Sequence, residues 1–559
     1  MVKKMSSVEL RDKSTDLTSI QTDHQPLAVE EKVRQHGRDF DEETGSQESH
    51  NSNGNNSFDA TKTSVPKQPS YKELLKYAVP CLSLWIAQPL MSLVDTVTVG
   101  LSAKNGTGAI QLAALGPAIS LIEVTLYLFM FLNVATTNLY ASAWSAARQS
   151  LPENFDERQE DIANRIKQAG YGVVRTAIPL AFCSGSVAMV TLFFVSEPLI
   201  RTFLEAGEDD NTIVGPSSEY VNIRAISLPT SLFFTVVQAA LLGCKDSMSP
   251  LLGIVTSVIL NGLLDIVFVV WLKMEVKGAA IATTVAQLAG TLAMLLPLKQ
   301  KLVPTTRESR KSSPSCSVKS FLLFAAPVLS LVVCKVVVFF TLSQVAASIS
   351  ERAYSSGTEK DGVILAAHQV ALSVFLFVNV FLEVTSTTVQ VFLAPFYTAR
   401  DEANKQEKQE DVQDCEKGCD LLKLKFLFMG FSCSGVMGFI ASLILWFAPQ
   451  LISNDSSVQE VVSSLGWPVL MASLSTAPVS TCEGIMIASQ DFVFLVGVYF
   501  VSLVLFPLLL VFVIKNNVSS TLSDAWWGFV ICLVFRGVLF SGRVWWHKIR
   551  LLPKKFSVN

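Results

Sequence analysis

Charge is scarce in this chain. Only 16% of its residues are Asp, Glu, Lys or Arg, against about 25% in ordinary soluble domains. Half of the residues are apolar and the mean hydropathy is +0.43, which excludes an ordinary soluble enzyme. A basic excess is also missing. The net charge of −3 gives no electrostatic footprint for nucleic acid, so no nucleic-acid partner is expected. Histidine is nearly absent: of five, His24, His36 and His50 lie in the polar N-terminal stretch, His368 lies in an apolar block and His547 follows the last one. Membrane-embedded hydrolases and acyltransferases need a His base, a metal cluster or an acid pair at the aqueous edge, and no enzyme is expected. No G-x-x-x-x-G-K-S/T phosphate loop occurs; Gly243-Cys244-Lys245 lacks the upstream glycine. The ten cysteines are scattered, mostly inside apolar segments, and read as free thiols. Cys415 and Cys419 share a polar stretch, but no His or second Cys pair completes a zinc site. No cofactor or metal is expected.

Residues 1–70 are of different composition. They hold twelve Asp/Glu, nine Lys/Arg and a Ser/Asn/Gly/Gln-rich stretch from Gly45 to Ser57. Such a segment cannot bury enough apolar area to offset its ordering entropy, so a disordered cytoplasmic tail is expected. It has no apolar core of a signal peptide and is too acidic for a transit peptide.

From Leu74 onward, apolar blocks of about 20 residues follow one another, the length a helix needs to cross a ~30 Å hydrocarbon layer. Twelve are counted, at 76–99, 113–137, 171–195, 219–242, 250–271, 278–298, 321–345, 364–392, 424–447, 462–487, 492–514 and 525–546. The fourth and tenth are the most polar. With a cytoplasmic N-terminus, the connections on that side and the span ends beside them hold 22 Lys/Arg against 7 opposite. The positive-inside rule then places both termini in the cytoplasm. Asn105-Gly106-Thr107 is a glycosylation sequon on the outer side, close to the membrane.

The chain repeats itself. Tyr77-Ala78-Val79-Pro80-Cys81-Leu82-Ser83-Leu84 is echoed by Phe324-Ala325-Ala326-Pro327-Val328-Leu329-Ser330-Leu331. Leu112-Ala113-Ala114 is echoed by Leu365-Ala366-Ala367, and the stretch Gln238 to Asp246 by Glu483 to Asp491. The three matches share nearly one offset, so each half has six spans. An even-numbered unit keeps its orientation, giving parallel repeats, and transporters of that design carry cargo between the two bundles. The expected architecture is an all-α polytopic membrane protein of two six-helix bundles, residues 71–300 and 321–548, joined by a basic linker at 301–320. A short cytoplasmic tail follows at 549–559. A monomer in a lipid bilayer is expected.

Without a phosphate loop, an ion gradient is the default energy source, and ion coupling needs an ionisable or ligating group inside the membrane. Asp95 sits deep in the first span, after Pro80 and Pro89, which interrupt helical hydrogen bonding. Asp265 is in the fifth span, with Asn261 four residues earlier and therefore on the same helical face. Asp95, Asn261 and Asp265 form a plausible site for H+ or Na+; a structural hydrogen-bond cluster or a substrate counter-ion is the alternative. In the repeat, Asp95 corresponds to Leu342 and Asp265 falls near Leu510, so the acid pair belongs to the first half alone. The second half offers Lys335 and Glu383, either an ion pair or, with Lys335 free, an attraction for anionic cargo. Glu123 is a further candidate for the substrate path. Arg224 and Arg536 are expected near helix ends, where long side chains snorkel.

The words assembled so far resemble the MATE (multidrug and toxic compound extrusion) family. They are Asp95-Thr96 with Val99-Gly100; Leu112-Ala113-Ala114-Leu115-Gly116; Tyr220, Ile223, Arg224 and Pro229; Gln238, Gly243, Asp246 and Pro250; Asn261, Asp265, Gly278 to Thr283 and Gln287; Leu365 to Gln369; Glu483-Gly484; and Arg536. The resemblance covers residues 71–546. It implies a secondary antiporter exporting organic solutes (xenobiotics, metabolites or organic acids) against H+ or Na+, with the Asp and Asn-x-x-x-Asp positions as the ion site and Pro80 tied to helix bending. A coupling Glu in the seventh span, the family's other arrangement, is replaced here by Lys335. Phe131 to Asn138 and Thr385 to Gln390 resemble the plant and algal branch, which includes plastid exporters of phenolic acids. Thr136, Gln238 and Gln287 stand in these resembling words and are further substrate-path candidates. The acidic tail favours the plasma membrane or an endomembrane over the plastid envelope. A lipid-linked precursor flippase of the wider superfamily is the alternative transport reading.

Overall fold

The computed structural model describes residues 66–102, 108–149, 159–203, 213–357, 363–451, 456–515 and 521–546. The expected tail at 1–70, apart from its last five residues, and the sequon at Asn105 lie outside the described residues. Among the described residues every regular element is helical: α1 Tyr71–Ser102, α2 Gly108–Leu128, α3 Met130–Gln149, α4 Gln159–Phe203, α5 Val214–Ala225, α6 Leu228–Gly243, α7 Met248–Asp265, α8 Glu275–Pro297, α9 Arg307–Lys311, α10 Val318–Ser355, α11 Val363–Lys405, α12 Gln409–Phe447, α13 Ser456–Ser464, α14 Gly466–Ala488, α15 Phe492–Lys515 and α16 Leu522–Trp546, with short π or 3-10 turns at Ile266–Trp271, Leu298–Leu302 and Pro449–Leu451.

Among the described residues, ten helical stretches are long and apolar enough to cross a membrane, and the bent pair α5–α6 makes eleven. The fourth and tenth expected spans are the two that do not stand as simple apolar rods. The fourth breaks at Ile226-Ser227 with a 51° bend. Pro229 begins the second segment because proline suits a helix's first turn and not its interior. The tenth is α14, 23 residues long, whose Ser473, Ser475, Thr476, Ser480 and Thr481 dilute its hydropathy. Where apolar side chains do face outward they are large: Phe194, Trp271, Phe447 and Val493 are all more than 70% exposed. A soluble surface would not tolerate such a belt; a hydrocarbon layer accepts it. Cys183 also lies on an exposed face, and all ten cysteines are free.

Three apolar cores hold the helices together. One lies wholly in the first half, around Val99, Leu115, Ile122, Leu192, Val221 and Val276. A second lies wholly in the second half, around Leu342, Phe375, Phe506, Leu510, Trp526 and Phe529. The third and largest draws on both halves, from Tyr77, Tyr140 and Leu241 to Phe324, Phe396 and Tyr499. Its residues come from the helix portions nearest the basic connections. The halves are therefore joined at the basic end and separately packed at the other. The seam carries an Asn138 Nδ2 hydrogen bond to Gln390 Oε1 at 2.6 Å. The Tyr77 and Phe392 rings meet edge-on at 5.3 Å, and Lys245 Nζ sits 4.5 Å from the centre of the Phe392 ring. The connection between the halves lies along α4: Gln168 donates to Ser312, and Thr176 to the Cys316 carbonyl.

The repeat is visible in backbone detail. Lys245 and Gln490 both adopt positive φ, +64° and +61°, immediately before Asp246 and Asp491. Asp246 N–H donates to the Leu241 carbonyl and Asp491 N–H to that of Met486, the wide-loop closure that ends a helix through a left-handed residue. Each Asp then meets a base from the last span of its own half: Lys301 Nζ at 2.6 Å from Asp246, Arg543 Nε at 2.8 Å from Asp491.

Candidate functional site

The structure brings Asp95, Asn261 and Asp265 together. Asp95 comes from α1, the other two from successive turns of α7, and all three are 1% exposed or less. Asp95 is richly solvated by protein. Tyr220 Oη donates to Oδ2 at 2.9 Å, Asn261 Nδ2 lies 3.2 Å from Oδ1, and Thr283 Oγ1 lies 2.9 Å from Oδ2. The Thr283 hydroxyl has one proton and also has the Ala279 carbonyl in reach, so the donor set around Asp95 can change by rotation of one bond. Asp265 is the opposite case. It lies within interaction distance of the Asp95 carboxyl, yet neither of its oxygens has a hydrogen-bond partner among the described residues. Two ionised carboxylates have no proton to share and repel each other in a water-poor interior. One cation or one proton would remove that repulsion. Asn261 keeps its own Oδ1 without a partner.

Tyr220 and Thr283 carry no sequence-assigned role. Both stand in words quoted for the family resemblance, but which side chain of α5 or α8 reaches Asp95 is set by packing, not by spacing. Arg224, expected to snorkel, is instead 2% exposed: it lies one turn after Tyr220, just before the break of the fourth span, and faces inward. Arg536, also expected to snorkel, is 3% exposed and stacks 5.1 Å from the Tyr499 ring centre, because α16 presents it to the second bundle's interior at mid-helix.

A second polar cluster occupies the second half. Lys335 pairs with Glu383, as one of the two sequence readings has it, but at 3.5 Å; its nearer partner is Glu483, at 2.8 Å. Glu483 is also the acceptor for Tyr499 Oη at 2.6 Å. Lys335 is thus held by two acids rather than free. An ammonium inside a span has to find every acid in reach, and Glu483, an in-span acid of the tenth span, is the signal that sequence reasoning passed over. Across the seam, Tyr127 of α2 lies in the field of all three charges.

The remaining candidates are spread out. Glu123 is half-buried and accepts from Ser92 Oγ at 3.1 Å. Thr136 is fully buried and returns its hydroxyl to the Leu132 carbonyl, so it belongs to neither cluster. Gln238 is buried, and its Nε2 has no hydrogen-bond partner among the described residues. Gln287 accepts from Ser227 and Ser231 and reaches Gln88 at 3.4 Å, which ties α8 to the segment just after the break in span four. Pro80 and Pro89 both lie inside the continuous α1. His368 is fully buried, with Nε2 3.0 Å from Ser343 Oγ and its ring against Trp526, a structural place. No group of His, Cys, Asp and Glu among the described residues could hold a metal ion.

The chain is similar to several known proteins. The family model described as "Lipid II flippase MurJ" matches residues 157–354. Protein DETOXIFICATION 47, chloroplastic, of Arabidopsis thaliana is 30% identical over 467 residues, covering 82% of this chain and 75% of that protein. DNA damage-inducible protein F of Escherichia coli is 30% identical over 237 residues, 42% of this chain and 45% of its own. Among solved structures, the outward-facing conformation of a multidrug resistance MATE family transporter of the MOP superfamily superposes with a TM-score of 0.65 at 16% identity, covering 85% of this chain and 95% of that one. With its helical membrane fold, its two-half repeat and a relative matched over most of its length, the chain belongs to the MATE family of membrane transporters, that of the DETOXIFICATION proteins.

Proposed function

We propose that this protein is a secondary active antiporter that exports organic solutes in exchange for H+ by alternating access. The observation that carries this reading is the enclosed Asp95–Asp265 pair, one acid surrounded by donors and the other with none. That asymmetry suits a site that gains and loses one positive charge, with Asp95 as the fixed anion and Asp265 as the acceptor. Two lobes of six spans, 71–300 and 321–548, would rock about the seam at the basic end, taken as cytoplasmic. The separate cores at the far end support an outward-open state. The twelve-span count adds the broken α5–α6 and the polar α14 to the ten simple spans.

The test is reconstitution in proteoliposomes with an imposed pH gradient, comparing wild type with Asp265→Asn while following ethidium as an organic cation and p-coumarate as a phenolic anion. Gradient-driven flux in wild type and none in Asp265→Asn is the expected result. Flux that survives in Asp265→Asn sinks the N-lobe site. Flux driven by a Na+ gradient but not by pH replaces H+ with Na+.

The MurJ-type match favours one second reading, transbilayer movement of a lipid-linked precursor. A fluorescent polyprenyl-phosphate lipid scrambled in the same vesicles, with no movement of either solute, would establish it. The proposed home is the plasma membrane or an endomembrane; a fluorescent fusion confined to the plastid envelope would overturn that. The proposed monomer is checked by mass in detergent.

A further inference from the structure

The charges of the first half lie on two adjacent levels. Asp95, Asp265 and Tyr220 form one level. One turn nearer the membrane centre on α1 is Ser92, which holds Glu123. One turn nearer the centre on α5 is Arg224, four residues after Tyr220. Because α1 and α5 run in opposite directions, both steps descend the same way, and Arg224 and Glu123 come to the level below the acid pair. Arg224 is within electrostatic reach of Asp95 and also of Glu123. It is buried, and its Nε and Nη1 have no hydrogen-bond partner among the described residues.

A permanently charged guanidinium with unsatisfied N–H groups in a closed interior is costly. It stays only because negative charge surrounds it, and it follows whichever negative charge is strongest. With the acid pair empty, the negative charge of Asp95 dominates. With the pair loaded by the coupling ion, Glu123 is the acid that remains. Glu123 lies four residues before Tyr127 and thus on the same helical face, and Tyr127 lies in the field of Lys335, Glu383 and Glu483 in the other half. Behind Arg224 the chain breaks, with Ser227 Oγ donating to the Arg224 carbonyl at 2.8 Å.

We propose that Arg224 is the positioning residue that relays occupancy of the Asp95–Asp265 pair to Glu123, and through the Glu123–Tyr127 face to the charged cluster across the seam. This rests on the ion-site reading above and adds the route by which that site is felt between the lobes. The relay makes Glu123 and the acid pair energetically coupled only while a charge stands at position 224.

The test needs no cargo. In purified full-length protein, infrared difference spectra during a pH titration report the carboxyl band that is absent in Asp265→Asn, and its midpoint reports loading of the pair. Glu123→Gln is expected to move that midpoint by about 0.7 unit or more, the fivefold lower end of ordinary coupling between sites. In the Arg224→Gln background the same change is expected to move it by nothing measurable. Arg224→Lys keeps the charge and is expected to keep the shift, which also serves if Arg224→Gln does not fold. A shift of equal size with and without Arg224, or one lost as fully in Arg224→Lys as in Arg224→Gln, overturns the relay. A protein in which no Asp265-dependent band titrates overturns the ion-site reading itself.

Discussion

The outer parts of the two halves occupy equivalent places in the repeat and are built of opposite materials. In the first half Asp95, Asn261 and Asp265 meet with Tyr220 and Thr283. In the second half the matching register holds Leu342, Phe506 and Leu510, packed with Trp526, Phe529 and Phe375. Trp526 and Phe529 are edge-on at 6.0 Å, and Phe375 and Phe529 at 5.4 Å. One backbone plan thus accepts either a hydrogen-bonded acid cluster or an aromatic core. The second half fills the same place without polar groups, whereas the first half bears the cost of burying two carboxyl groups.

Five changes would break or sharpen this contrast. The largest effect is expected from Leu342→Asp, which places an acid in the aromatic core with no donor beside it. Burial of an unpaired charge should prevent stable folding or cost several kcal/mol, read as loss of monodisperse protein in detergent, whereas the same residue type at Asp95 is tolerated. Next, Trp526→Ala should destabilise by about 3–5 kcal/mol, as for other large buried aromatics, seen as a lower thermal midpoint. The Asp265-dependent carboxyl titration should be unmoved, because the acid pair lies in the other half. Third, Thr283→Val removes one donor from Asp95 while leaving the shape. It should cost about 1–2 kcal/mol and shift the pH profile of gradient-driven flux; an unchanged profile would exclude Thr283 from the site.

The smallest effect concerns the paired turns. Burial pushes the Asp246 carboxyl up, but hydrogen bonds from Lys301 and Ser249 outweigh it and hold it below the usual carboxylate value. A depressed folded value stabilises above the unfolded value near 4 and is lost as pH falls through the folded one. Lys301→Ala should therefore cost under about 1 kcal/mol at neutral pH, since Lys301 is half exposed. Its cost should vanish in strong acid, checked by thermal midpoints across pH. Arg543→Ala should cost more, because its partner Asp491 is 8% exposed.

Much of this was legible in the sequence, and for identifiable reasons. Apolar block length predicts the spans, and the two blocks singled out as most polar are the broken α5–α6 and the Ser/Thr-rich α14. Spacing of four predicts that Asn261 and Asp265 share a face, and the repeat predicts that the pair has no counterpart at Leu342 and Leu510. What spacing does not encode is contact between distant helices. Tyr220 and Thr283 reach Asp95 across α5 and α8, and Glu483 reaches Lys335 across α14. The inward face of Arg224 likewise follows from the helix break at Ile226-Ser227 and not from distance to a helix end.

The core shared at the basic end has a consequence for biogenesis. When the helices up to α8 have left the ribosome, the core around Val99, Ile122 and Val221 has all its members, and it can close on its own. Tyr77, Tyr140 and Leu241 cannot, because Phe324, Phe396 and Tyr499 of their core have yet to be synthesised. The newborn protein is therefore finished first at the end where its acid pair sits. Its opposite end is completed only when Phe324, Phe396 and Tyr499 of the second half arrive.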